Sequence, residues 1–134
     1  MSYLLDTDTV SHHFRRPGGL QHRFIQHSGR LYVSAVGLAE LHAWASMRDD
    51  PGPILGAIRT ALRDEMIVIP FDEECAEAFG KLRGLLRRAG KAVAPMDLLI
   101  AATAISHGMT LVTHNTAHFR HVPGLVLDDW VFSS

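Results

Sequence analysis

The sequence predicts an α/β protein, a three-layer α/β/α sandwich around a mainly parallel central sheet. Its strand-like segments, YLL, LYVS, MIVIP and TLVT, are short and apolar on successive residues rather than alternating, as in strands buried on both faces. Segments with helical periodicity separate them, which places helices on both sides of the sheet. A length of 134 residues suits one domain spanning residues 1–134 with one sizeable core, and no repeat, low-complexity tract or linker divides it.

The elements follow in order. YLL, residues 3–5, is a strand that stops at Asp6. Thr9 is placed to cap a helix over 9–14, ended by RRPGG, and a second helix covers 20–27 before a turn at Ser28-Gly29. LYVS, 31–34, is the next strand, and Ser34 caps the helix running to Met47. DDPGP, 49–53, is a loop, followed by a helix over 54–65 and a β-branched, buried strand in MIVIP, 66–70. Asp72 caps a long helix to Ala89, whose stripe Cys75, Phe79, Leu82 and Leu86 has the spacing of a core-packed face, and Gly90 ends it. An apolar helix fills APMDLLIAATAISHG, 94–108. TLVT, 110–113, is a strand, and LVLDDW supplies an edge strand.

Composition narrows the functional class. Formal net charge is −1, which argues against a protein that coats nucleic acid nonspecifically but not against a nucleic-acid enzyme. The lone cysteine, Cys75, excludes an intrachain disulfide framework and fits a reducing compartment. The N-terminal MSYLLDTDTV lacks the basic leader and long apolar core of a signal peptide, and the longest apolar run, 98–105, is far below the ~20 residues of a membrane span. A cytoplasmic location is the expectation.

In open parallel sheets, functional groups gather beyond the C-terminal strand ends. Asp6 ends the first strand, with Asp8 two residues on. Glu40 lies on the helix that follows Ser34, and Asn115 lies just beyond Thr113. Asp97 stands in the first turn of the helix preceding the TLVT strand. A carboxylate there, beside Pro95, interacts well with the helix dipole whatever else it does. Its i+3, i+4 and i+7 neighbours, Ile100, Ala101 and Ala104, are apolar, however, so it shares a face with residues suited to burial. Glu40 likewise sits between Val36 and Trp44 on an apolar stripe. Each acid alone also fits a cap, an Asx turn or an exposed helix position. Converging at one rim they would repel unless protonated or neutralised by a cation, and hard oxygen donors suit Mg²⁺ or Mn²⁺. Such an ion assists phosphodiester hydrolysis, the reaction that best fits the set.

LLDTD, VSAVGLAEL, MDLLIAATA followed by LVTHNTAHF, and the closing LDDW together resemble PIN-domain ribonucleases, specifically VapC-type toxins of toxin–antitoxin pairs. The resemblance covers nearly the whole chain. It implies a PIN-like sandwich and a metal-dependent endoribonuclease in which Asp6, Glu40 and Asp97 hold Mg²⁺ or Mn²⁺. Asn115 falls where many PIN domains carry Asp; an amide oxygen can still coordinate a cation or position its water, without adding charge. Thr7 and Thr113 are implied as supporting hydroxyls, and Asp8 stands where relatives often carry Asn. The resemblance also implies inhibition by a VapB-type antitoxin, a homodimer, and contact with operator DNA only through the antitoxin. The alternative function is a catalytically weak PIN-like module that binds antitoxin in a DNA-binding regulatory complex. A phospho-accepting receiver-like domain fits less well, because Glu40 and Asp97 lie on helices.

Further cations are candidates for RNA contact. Arg83, Arg87 and Arg88, with Lys81 and Lys91, lie on the helix and loop leading toward Asp97, where they also suit an ordinary basic helix end. Arg15 and Arg16 are similar. His114 and His118 have i, i+4 spacing, with His121 near; RNA contact or a surface loop suits them better than zinc. Cys75 is expected to serve packing. The helices flanking DDPGP offer an apolar face for docking or for the core.

Overall fold

The computed structural model describes residues 1–133. Five parallel strands form one sheet in the order β3-β2-β1-β4-β5: β1 (Tyr3–Leu5), β2 (Leu31–Ser34), β3 (Ile67–Ile69), β4 (Thr110–Val112) and β5 (Leu127–Asp128). The helices are α1 (Thr7–Arg15), α2 (Pro17–Gln26), α3 (Ala35–Ser46), α4 (Gly52–Asp64), α5 (Glu73–Arg88), α6 (Pro95–Ser106), α7 (Thr116–Phe119) and α8 (Trp130–Ser133).

Successive strand residues point to opposite faces, and each face needs an apolar cover. Leu4 and Leu111 therefore join Leu82, Leu86, Leu98, Ile100 and Phe119 under α5, α6 and α7. Their neighbours Leu5 and Val112 join Val10, Leu20, Phe24, Leu41, Ile58 and Trp130 under the remaining helices. The two clusters make the predicted three layers.

The topology places a crevice. From β1 the chain steps outward through β2 to β3, then returns across the sheet to β4 on the other side of β1. Strand order reverses between β1 and β4, so the helices leaving these strands part there, and ligands favour such a point at the C-terminal strand ends.

Several elements differ from their sequence-based bounds. The first helix is capped by Asp6, not Thr9: Asp6 is extended (φ −73°, ψ 159°) and its carboxylate accepts from Thr7 N–H. The Thr9 hydroxyl is instead buried and donates to the Val112 carbonyl at 3.2 Å. The second helix begins at Pro17 rather than Leu20, since a first-turn proline loses no hydrogen bond and brings a preset φ. The helix after DDPGP likewise starts inside that motif, at Gly52. The MIVIP strand is not buried throughout. As the edge strand β3 it pairs only with β2, and Ile67 is 56% exposed. The final strand is short because the Asp128 carboxylate accepts from Asp129 N–H and Trp130 Nε1, turning the chain into α8. Ser34 and Asp72 cap as expected, accepting from Gly37 N–H and Cys75 N–H. Among the described residues no helix is long and apolar enough to cross a membrane.

Candidate active site

Asp6 leaves the end of β1 and is 6% exposed. The Thr113 hydroxyl donates to its Oδ2 at 2.9 Å, and Thr7 N–H to its Oδ1 at 2.9 Å. Burial, reinforced first by the charge of Asp8, pushes its pKa up to about 7; the Thr113 and Thr7 hydrogen bonds oppose this, and Asp97 adds to it.

Asp8 carries more of the architecture than sequence reasoning gave it. Its Oδ2 accepts from the backbone N–H groups of His114 and Asn115, at 3.0 and 3.1 Å. One side chain from α1 thereby fixes the segment leaving β4. Its charge acts on both Asp6 and Asp97. The signal was present in the D-x-D spacing: an N-cap acid and an acid in the first helical turn lie on one end of one helix.

Glu40 is mounted by the Ser34 cap and by the buried Leu41 beside it, on the α3 face that turns toward α1. Thr7 Oγ1 donates to Glu40 Oε1 at 2.8 Å. Gly37 keeps this approach open: a Cβ there would meet Ser34 Oγ at 3.3 Å and Thr7 Oγ1 at 3.7 Å. Asp97 is half-buried on the first turn of α6, with Ile100, Ala101 and Ala104 at most 1% exposed below it. Desolvation raises its pKa and Asp8 adds to the rise, while His118, whose Nδ1 lies 3.4 Å from Asp97 Oδ2, opposes it.

Among the described residues, none of Asp6, Asp8, Glu40 and Asp97 makes an ion pair with a lysine or arginine. The one basic side chain paired with these acids among the described residues is His118, against Asp97. These acids do not bring three ligand atoms within 4.8 Å of one another.

Asn115 is exposed at the N-terminus of α7, and its side chain makes no capping hydrogen bond. Its N–H also donates to Thr113 Oγ1 at 3.1 Å, so Thr113 joins Asp6 to this segment. His114 and His118 do not share a site: His114 Nδ1 faces Asp129 at 3.0 Å, whereas His118 faces Asp97.

The basic residues divide. Arg83 and Arg87, with Lys91, line a groove of about 260 Å³ that reaches Pro95 and Leu98 at the start of α6, on either side of Asp97 in sequence. Arg88 lies instead against Gly84 on another face of α5. A second hollow of about 230 Å³, lined by Thr7, Ser11, Arg15, Trp44 and Arg48, adjoins the Thr7–Glu40 pair. Arg16 is exposed outside it.

Comparison with known proteins shows the family and the fold. A family model described as PIN domain matches residues 3–125. The chain is 32% identical over 132 residues to Ribonuclease VapC2 of Haemophilus influenzae, covering 98% of this chain and 99% of that protein. It is equally 32% identical over 131 residues to the tRNA(fMet)-specific endonuclease VapC of Shigella flexneri, covering 97% and 98%. Its fold is similar to that in the crystal structure of DNA-bound VapBC from Salmonella typhimurium, with a TM-score of 0.91 at 30% identity, covering 97% of this chain and 98% of that one. VapBC2 from Rickettsia felis, bound to a promoter DNA fragment, gives a TM-score of 0.89 at 28% identity, covering 97% and 99%.

Proposed function

The chain belongs to the PIN-domain family, and on that premise we propose that it is an endoribonuclease toxin that hydrolyses RNA phosphodiester bonds at the β1–β4 crevice. The observation that carries the reading is the set of Asp6, Asp8, Glu40 and Asp97 gathered there without a lysine or arginine partner, with Asp6 pushed up to about 7 by burial and Asp8. Carboxylates crowded this way, with no lysine or arginine among them, favour a divalent cation.

Asp6, Glu40 and Asp97 would hold Mg²⁺ or Mn²⁺, which when bound supplies Lewis acidity for activating water and offsetting charge on the phosphoryl group. Thr113 and Thr7 orient the Asp6 and Glu40 carboxylates through their hydroxyls. Asp8 holds the segment that carries Asn115, whose free amide is available to water or substrate. Arg83 and Arg87 would receive RNA phosphates in the groove that reaches the start of α6 and so hold the substrate backbone. Arg88, His114 and His118 are less suited to that task, since Arg88 faces away and the histidines engage Asp129 and Asp97.

The relatives' names and the VapBC complexes support a VapB-type antitoxin as inhibitor, with operator DNA engaged through that partner; the homodimer rests on the family resemblance alone. Because one relative is named as a tRNA(fMet)-specific endonuclease, tRNA is the first substrate to test. Purified chain freed of antitoxin should cleave RNA with Mg²⁺ or Mn²⁺, stop in chelator, and stop again when antitoxin is restored. Absence of metal-dependent cleavage across tRNA and total RNA would favour the catalytically weak regulatory module instead.

A further inference from the structure

The end of α6 remote from Asp97 gathers a different set of metal-binding groups. Asp72 caps α5, Cys75 follows in its first turn on the same side, and His107 caps the C-terminus of α6. One ligand atom from each residue, a carboxylate oxygen, the thiol sulfur and an imidazole nitrogen, lies within 4.8 Å of the other two. Among the described residues no other such group occurs. The stretch of α6 from Asp97 to His107, roughly 15 Å at 1.5 Å per residue, separates it from the acidic crevice.

Cys75 is fully buried among the core residues, as its place in the stripe predicts. Its thiol sulfur lies within 4.8 Å of an Asp72 carboxylate oxygen and a His107 ring nitrogen. The Cys75 N–H also donates to Asp72 Oδ1 at 3.0 Å, which orients that carboxylate as outer hydrogen bonds orient metal-binding carboxylates. Hydrogen bonding from Cys75, with the nearby His107, holds Asp72 below the usual carboxylate range. Asp72 and His107 are both exposed, which gives an ion its approach.

We propose that Asp72, Cys75 and His107 form a binding site for a borderline-soft divalent cation of the Zn²⁺ class, separate from the acidic crevice. A thiolate, an imidazole and one carboxylate make a three-ligand set for a four-coordinate ion, with water in the fourth position, and they disfavour Mg²⁺. On binding, the Cys75 thiol releases its proton to solvent, while Asp72 and neutral His107 donate lone pairs. The ion ties the start of α5 to the end of α6. It thus fastens the helix pair whose other ends carry Arg87 and Asp97.

Co²⁺ is the probe. Titrated into the full chain after chelation and dialysis, it should bind one ion that shows thiolate-to-cobalt charge-transfer absorption, displaced by Zn²⁺. That absorption should persist in Asp97→Asn and vanish in Cys75→Ser. Because Cys75 is buried and its replacement can unfold the chain, exposed His107→Ala decides the matter: Co²⁺ affinity should drop by more than ~10-fold. Zn²⁺ should raise the melting temperature of the wild type and leave that of His107→Ala unchanged. No thiolate absorption at excess Co²⁺, or unchanged affinity in His107→Ala, overturns the site.

Discussion

The Thr113 hydroxyl donates to Asp6 Oδ2 at 2.9 Å, joining the exits of β4 and β1 across 107 residues of chain. The same oxygen accepts from Asn115 N–H at 3.1 Å. One fully buried threonine therefore sets both the orientation of the most perturbed acid and the start of the segment leaving β4.

Thr113→Val should remove that linkage while keeping the shape of the side chain. Asp6 then loses a charge-assisted bond in a buried site, at a cost of ~1–3 kcal/mol. Denaturant melts should show that loss, and RNA cleavage should fall with it; Thr113→Ser should recover most of both. Wild-type stability and rate in Thr113→Val would contradict the role.

Asp6 also predicts a pH dependence of stability. Its pKa is about 7 in the folded chain against 3.8 ordinarily, so between those values the folded state binds more protons than the unfolded state. Its contribution is fully present below about 4 and is lost as pH rises through about 7. Melting temperatures in chelator should decline over that window, and Asp6→Asn should flatten the decline. Mg²⁺ should restore stability on the alkaline side in the wild type only. An identical slope in Asp6→Asn would contradict the assignment.

Arg83→Ala and Arg87→Ala should each raise KM for RNA and leave kcat unchanged, the signature of a contact made equally before and during reaction. Each should also lower the slope of log affinity against log salt by roughly 0.7, the single-strand value for one phosphate contact. Arg88→Ala, facing Gly84, should change neither quantity comparably. Equal effects at all three arginines would mean that the groove has no special place in binding.

The layered fold was legible because its strands are apolar on both faces, a pattern that few alternatives to a helix-covered parallel sheet allow. Edges were harder to read. Nothing local in MIVIP says that β3 has a neighbour on one side only, so Ile67 reads as buried although it is exposed. Caps at strand–helix junctions depend on which side chain the sheet engages first: Thr9 donates to Val112, and Asp6 is left to cap α1. In the crevice, Asp6, Glu40 and Asp97 could be singled out because each is an acid on an otherwise apolar element. The D-x-D spacing put Asp8 at the same helix end as Asp6, but its anchoring role was hidden, since its partners are backbone groups more than 100 residues away. The separation of Arg88 from Arg83 and Arg87 turns on the packing of α5 against α6, and charge patterning alone does not reveal it.

The central claim is that the acids at the β1–β4 crevice cut RNA with a divalent cation, and Asp97→Asn tests it most directly. Asp97 faces the crevice from a helix turn and anchors no backbone group there, so its amide should fold normally. With Mg²⁺ or Mn²⁺ and antitoxin removed, the variant should lose RNA cleavage by at least ~100-fold, on the scale of groups acting on charge in the transition state. Its melting temperature in chelator and its antitoxin binding should match the wild type. Wild-type cleavage by folded Asp97→Asn would contradict the account.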